Sequence, residues 1–142
     1  QRQAYRLVEL KRFAEHLGLA LNPQPRYFPV DATPSARLIT AVAQQDGMAA
    51  AMALAGAVLA ACWREERDIA SDATLAELLE ECDLPAERLA ESRGADTQAR
   101  YDAHTQAAMD AGVFGAPTYV IDGELFWGQD RLDFVARKLG IV

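Results

Sequence analysis

The sequence predicts an α/β protein that is mostly helical, with one β-hairpin near the end that belongs to a larger sheet. Apolar residues recur at helical spacing up to about residue 111, whereas residues 112–142 change to a β-branched and aromatic pattern around Asp122-Gly123. A two-stranded hairpin with this many apolar side chains is marginal in water unless its edges are covered. We therefore expect the remaining strands to lie before Gln1 or on another chain.

The composition excludes several classes of function. The 142 residues carry 14 Lys+Arg against 21 Asp+Glu, a formal net charge of −7, and 51% of them are hydrophobic. The hydrophobic fraction excludes a disordered chain, and nucleic-acid binding needs a basic surface that this chain lacks. The uncharged run 47–63 is shorter than the roughly 20 apolar residues of a membrane span, so we predict a buried central helix there. Neither nucleic acid nor membrane is expected as a partner.

Helices are predicted in sequence up to residue 111. The first runs from about residue 2 to 17 and ends at Gly18, a C-cap residue. A proline-broken loop follows, and Thr33-Pro34 opens the second helix with Thr33 as its N-cap and proline in the first turn. Asp46 is predicted to cap the third helix. A short helix is predicted at 71–81 and another at 83–92, and a longer one starts at Asp96 or Thr97 and runs through Ala111.

The remaining residues are predicted as strands and a final helix. The strands are 118–121 and 125–127, and the loop at Gly128 leads into the helix. The apolar side chains predicted to face inward from that helix are Leu132, Phe134, Val135 and Leu139. We divide the chain into a mostly helical domain with flanking helices, residues 1–111, and the hairpin with its helix, residues 112–142.

The residues alone identify no catalytic group and no metal site. His16 and His104 stand alone in separate helices and are interpreted as surface residues. Cys62 and Cys82 form neither a CxxC motif nor a cluster with histidine, which excludes a redox pair or a familiar zinc site within these residues. We interpret both as reduced structural cysteines and place the protein in the cytoplasm.

Two short segments form a candidate binding site. Pro117 stands at the entry to a strand, where a cis peptide bond would turn the N–H and C=O of Ala116 outward to pair with an extended peptide. Gly128-Gln129-Asp130 leads into a helix, whose N–H groups attract a carboxylate, while Asp130 suits an α-amino group. The alternative is that Pro117 only shapes a turn and Asp130 only caps a helix.

The same segments resemble a known family. Residues 112–120, GVFGAPTYV, and 122–132, DGELFWGQDRL, resemble the C-terminal signature of 2-hydroxychromene-2-carboxylate isomerases. These are close to kappa-class glutathione transferases, within the thioredoxin-like superfamily of disulfide-bond-forming oxidoreductases. Further resemblance is carried by Trp63, Arg67-Asp68-Ile69, Tyr5 to Leu19, and Phe28-Pro29.

The resemblance implies a thioredoxin-like fold with a large all-helical insertion, and glutathione as cofactor. It implies that Ala116 and Pro117 meet the cysteinyl part of glutathione. It implies that the γ-glutamyl end is held by Trp127, Gly128, Gln129 and Asp130. Tyr27 is expected to line the pocket of a small aromatic substrate, and a homodimer is expected.

The resemblance also has a gap, because the family's first strand–helix–strand has no match here. We therefore expect an N-terminally incomplete sequence, with the catalytic serine in a segment before Gln1. The implied function is a glutathione-dependent isomerase of the 2-hydroxychromene-2-carboxylate type in aromatic compound catabolism. The alternatives are a kappa-class-like glutathione transferase and a non-catalytic thioredoxin-like module that binds glutathione or a peptide. A dithiol oxidoreductase would need a CxxC motif upstream of Gln1.

Overall fold

A computed structural model describes residues 1–141, which contain seven α-helices, a two-stranded antiparallel sheet and a short 3-10 helix. The helices are α1 Arg2–Leu17, α2 Thr33–Gln45, α3 Met48–Trp63, α4 Asp72–Glu81, α5 Glu87–Glu91, α6 Ala95–Asp110 and α7 Leu132–Leu139. The strands are β1 Thr118–Ile121 and β2 Glu124–Trp127, and the 3-10 helix is Gln129–Arg131. No helix in this part of the chain combines the length and apolar character that crossing a membrane requires.

The chain divides into two compact units, the first ending at Gln98 and the second beginning at Ala99. This division falls inside α6, whereas the boundary predicted from the sequence lies between residues 111 and 112. Compactness does not by itself define a domain, so the predicted domain boundary stays a prediction.

The first unit has its core between α2, α3 and α4. Leu38 and Leu54 are fully buried, and Leu75, Leu78 and Leu79 of α4 are each 1% exposed. These side chains pack in one cluster because each helix presents leucine or valine at intervals of three or four residues. The predicted bounds of α1 are confirmed, and Gly18 ends it with φ 64°.

The prediction for α3 is only half right. Ala51, Leu54 and Val58 are buried, but the opposite face exposes Met48, Met52 and Leu59 by 60–68%. In the described residues α3 packs mainly against α2 and α4. Since alanine, methionine and leucine surround the whole helix, its sequence does not distinguish the packed face from the open one.

Two predicted N-caps are wrong. Thr33 is already helical, and Ala32 precedes it, while the Asp31 carboxylate accepts the Thr33 N–H at 2.9 Å. Asp46 ends α2 and does not cap α3, which begins after Gly47. The reason is that a distant arginine holds the Asp46 side chain. The fifth helix begins later than predicted, since Asp83 has a left-handed φ of 55° that a helix cannot include.

The second unit contains the predicted hairpin. Tyr119 pairs with Phe126 and Ile121 with Glu124 across the turn, whose central residues Asp122 and Gly123 have φ of 52° and 78°. Two successive positive φ angles are the signature of a type I′ turn, which matches the strand twist. The expected larger sheet stays a prediction, because the described residues supply these two strands.

The inward face predicted for the last helix is confirmed only at Val135, which is 8% exposed. Leu132, Phe134 and Leu139 are 49–53% exposed. Within residues 1–141 the sheet is two strands wide, which is too narrow to cover the whole apolar face of a helix. Four apolar residues of α6 are also exposed in the structure: Ala99, Ala103, Ala107 and Met109.

Candidate functional site

The loop before β1 and the loop after β2 lie side by side. The peptide bond between Ala116 and Pro117 is cis, the form considered for it from the sequence. The Pro117 carbonyl accepts the Gly128 N–H at 2.9 Å, and the Thr118 hydroxyl donates to the Gly115 carbonyl at 2.5 Å. The hairpin register thus continues one step past the strands and brings the two predicted segments together.

The backbone of Ala116 is available for pairing. Neither its N–H nor its C=O has a hydrogen-bond partner in the described part of the chain. Backbone groups of this kind are the ones that an added extended peptide satisfies. Ala116 therefore has the donor and acceptor that peptide recognition requires.

Gly115 makes room for the indole of Trp127. A Cβ atom at this glycine would lie 2.7 Å from Trp127 Nε1, closer than real contacts allow. The Phe114 ring centroid is 5.0 Å from that of Trp127, and the indole remains 53% exposed. Sequence reasoning did not assign Gly115 or Phe114 to the site, although a glycine directly before Ala-Pro signals a close approach.

The loop after β2 has a similarly tight geometry. Gly128 has φ 111°, and a Cβ there would lie 2.6 Å from Asp130 Oδ1. The Gln129 and Asp130 N–H groups, at the start of the 3-10 helix, donate to no acceptor within residues 1–141. Unpaired N–H donors of this kind can bind a carboxylate, and the carboxylate site predicted for this loop stays a prediction.

Asp130 already has a cationic partner. Its Oδ2 lies 2.7 Å from Nη1 of Arg131, and both side chains are about half exposed. Ion pairs this exposed contribute at most about 1 kcal/mol, so a ligand amino group could replace the arginine. Sequence reasoning overlooked Arg131, whose position next to Asp130 was the available signal.

Tyr27 belongs to the first unit, whereas the six residues predicted to bind glutathione belong to the second. Its ring is 39% exposed, and the Arg26 guanidinium carbon lies 5.4 Å from the ring centroid. Its predicted role in substrate binding stays a prediction.

The described residues show no activated nucleophile among the cysteines. Burial raises the pKa of the Cys62 thiol, and burial together with Glu81 and Asp83 raises that of Cys82. A thiol with a raised pKa is a poor nucleophile near neutral pH. His16 and His104 are both exposed, and no cluster of three His, Cys, Asp or Glu side chains that could hold a metal occurs within residues 1–141.

Comparison with known proteins places this geometry in context. The family model of the DSBA-like thioredoxin domain matches residues 1–140. A protein of Pseudomonas sp. (strain C18) named 2-hydroxychromene-2-carboxylate isomerase is 34% identical over 140 residues, which cover 96% of this chain and 62% of that protein. A protein of the same name from Pseudomonas putida is 32% identical over 139 residues, covering 96% and 64%.

A solved structure of selenomethionine 2-hydroxychromene-2-carboxylate isomerase superposes with a TM-score of 0.79 and 27% sequence identity. The match covers 96% of this chain and 65% of that one. The predicted thioredoxin-like fold class is confirmed by this match and by the family model. The chain spans less than two thirds of the length of each of these three proteins.

Proposed function

Because the chain belongs to the DSBA-like thioredoxin family, we propose that it forms part of a glutathione-dependent isomerase of the 2-hydroxychromene-2-carboxylate type. The observation that carries this proposal is its similarity, over 96% of its length, to two proteins with that name. The proposed substrate is a small aromatic compound met in aromatic catabolism. A cytoplasmic homodimer is proposed with it.

The free backbone groups of the second unit support glutathione as the ligand. Ala116 has an unpaired N–H and C=O, which suit the cysteinyl part of a peptide. The Gln129 and Asp130 N–H groups suit the carboxylate of the γ-glutamyl end. On binding, the Asp130 carboxylate would exchange Arg131 for the γ-glutamyl amino group, and Trp127 would cover the peptide with its exposed indole.

Glutathione, when bound, supplies a thiolate that adds reversibly to the ring-opened enone form of the substrate and so permits bond rotation. The residues of this chain orient the peptide. In the proposal, the group that stabilises the thiolate is a serine in the part of the relatives that this chain does not span.

A calorimetric titration of the 142-residue chain with glutathione tests the binding step. Asp130→Asn is expected to weaken binding about fivefold, because an exposed charge pair is worth up to about 1 kcal/mol. Asp133→Asn, which changes a nearby exposed carboxylate on α7, is the matched control and should leave the affinity unchanged. Absence of binding at millimolar glutathione, or equal affinity in both variants, would contradict the proposed site.

The reaction itself is tested with the chain joined to the part of the Pseudomonas sp. isomerase that it does not match. We expect isomerisation of 2-hydroxychromene-2-carboxylate that depends on added glutathione. Equal rates with and without glutathione would exclude the mechanism. Turnover of halogenated aromatics with none of the chromene would favour a kappa-class-like transferase, and glutathione binding without any turnover would favour a non-catalytic module.

A further inference from the structure

One exposed surface of the first unit combines aromatic rings with an unpaired cation. Phe28 is 45% exposed, and Tyr27 beside it is 39% exposed. The Phe28 ring centroid lies 4.6 Å from that of Trp63, which is half-buried against the core, and the two ring planes are inclined by 43°. We call the surface formed by Arg26, Tyr27, Phe28 and Trp63 the aromatic platform. Leu59, one turn before Trp63 on α3, is 60% exposed and extends the apolar area.

The platform is held rigidly although it is exposed. The Asn22 N–H donates to the Trp63 carbonyl at 2.7 Å, which fastens the loop to the end of α3. Glu66 Oε1 accepts hydrogen bonds from the side-chain amide Nδ2 of Asn22 at 2.7 Å and from the backbone N–H of Arg26 at 3.2 Å. Exposed aromatic rings on a pre-ordered loop lose little conformational entropy when a ligand binds.

Glu66, which accepts the hydrogen bonds that fasten this loop, has an unfavourable backbone conformation itself. Its φ is 56°, a left-handed value that few residues other than glycine adopt. Glycine would relieve that strain but could not accept the two hydrogen bonds that fasten the loop. Glu66 is therefore a positioning residue for the platform.

Arg26 supplies the charge that identifies the ligand. Its guanidinium carbon lies 5.4 Å from the centroid of the Tyr27 ring, and the side chain forms no ion pair within residues 1–141. Five other arginines in that part of the chain also form none, so Arg26 is distinguished by its position beside two exposed rings, Tyr27 and Phe28. In a chain with a net charge of −7, an arginine held on an aromatic ring without an acidic partner favours an anion. Rings and cation together match a flat aromatic carboxylate.

We propose that the aromatic platform binds the substrate of this protein, with the substrate ring on Phe28 and Trp63 and its carboxylate on Arg26. The choice of ligand rests on the proposed function, since the curated relatives are named for an aromatic carboxylate. Arg26 is then the residue that selects acids over neutral aromatics. Glu66 keeps Arg26 and the rings in place.

Binding of 2-naphthoate to the 142-residue chain, measured by calorimetry without glutathione, tests the proposal. Arg26→Gln should weaken 2-naphthoate binding about fivefold, as expected for losing an exposed ion pair, and leave binding of the neutral 2-naphthamide unchanged. Arg6→Gln on α1 is the matched control and should change neither the affinity for 2-naphthoate nor that for 2-naphthamide. Phe28→Leu should weaken the binding of both 2-naphthoate and 2-naphthamide.

The role of Glu66 is tested by two variants of different chemistry. Glu66→Gln keeps an oxygen that accepts both hydrogen bonds and should bind 2-naphthoate like the parent protein, whereas Glu66→Ala should bind it more weakly. Circular dichroism establishes that each variant is folded. Equal affinities in the two variants would exclude the positioning role.

The outcome is independent of the glutathione chemistry. If 2-naphthoate binds through Arg26 but no chromene is isomerised, the proposed function fails and the platform stands. If the parent chain does not bind 2-naphthoate, or binds it equally after Arg26→Gln, the inference is overturned.

Discussion

Arg88 and Asp46 form a two-pronged ion pair that joins α5 to the end of α2. Arg88 Nε lies 2.7 Å from Asp46 Oδ2, and Nη2 lies 2.9 Å from Oδ1. Both side chains are less than one-fifth exposed, and Arg88 also reaches Glu91 at 2.9 Å. Paired hydrogen bonds of this geometry are stronger and more specific than a single contact. The pair therefore fastens two helices that are far apart in the chain.

This pair makes the stability of the first unit depend on pH. Hydrogen bonding by Arg88 lowers the pKa of the Asp46 carboxyl below its ordinary value. Because the pKa in the unfolded chain is higher, at about 4, the stabilisation is present above that pH and is lost as the pH falls through the folded-state pKa. Asp46→Asn should lower the urea midpoint at pH 7 and have a much smaller effect at pH 3.

The control for this prediction is Asp133→Asn, which alters an exposed carboxylate. It should leave the urea midpoint nearly unchanged at both pH values. An equal loss of stability at pH 7 and pH 3 in Asp46→Asn would show that the carboxylate charge is not what joins the helices.

Replacing a buried leucine should distinguish the packed face of the helices from the open one. Leu38→Ala empties a fully buried position and should lower the free energy of unfolding by about 2–5 kcal/mol. Leu59→Ala removes a side chain that is 60% exposed and should change it by less than about 1 kcal/mol. Urea unfolding followed by circular dichroism measures both. Similar losses in the two variants would mean that Leu59 is covered in solution.

Gly115 should not tolerate a side chain. The added methyl group of Gly115→Ala would meet Trp127 Nε1 at 2.7 Å, so the indole must shift. Because the indole is 53% exposed, the cost should be about 1 kcal/mol, the low end of what overpacking costs. A changed tryptophan emission spectrum and a lower urea midpoint are expected. Gly56→Ala is the matched control, because no atom lies within 4 Å of its added Cβ, and alanine in α3 should stabilise by about 0.5–1 kcal/mol.

The two thiols should react slowly in the folded protein. Burial raises the pKa of Cys62, and burial with two neighbouring carboxylates raises that of Cys82. Thiolate is the reacting form, so labelling by a disulfide reagent at pH 8 should be slower than for a free thiol, with half-buried Cys82 ahead of buried Cys62. Both should react quickly in urea. Fast labelling of Cys62 in the folded state would mean that the core opens locally.

Features set by neighbouring residues could be predicted from the sequence. The end of α1 follows from Gly18, which adopts the left-handed conformation of a C-cap. The hairpin follows from Asp122-Gly123, and a two-residue turn fixes which residues pair. That register is also why Pro117 and Gly128 could be expected in one site. Their hydrogen bond is a continuation of the strand pairing.

Features set by distant residues were missed. Asp46 is a residue type that favours N-caps, but its carboxylate accepts hydrogen bonds from Arg88, which is 42 positions later in the chain. The Trp127 indole lies where a side chain at position 115 would clash with it, and Arg131 forms an ion pair with Asp130. Neither contact follows from a motif. The aromatic platform arises because a loop and the end of α3 meet. Sequence spacing alone does not predict that contact.

By itself, the sequence determined the helical content, the hairpin with its register, and the two loops that form the candidate glutathione site. Local chemistry suffices for these, because turns and caps involve residues within a few positions of one another. Only the tertiary structure decided which face of α3 is packed and which carboxylate pairs with Arg88. It also decided that Arg26 forms no ion pair within residues 1–141. These depend on contacts between segments far apart in the chain, and many such contacts are compatible with the same local pattern.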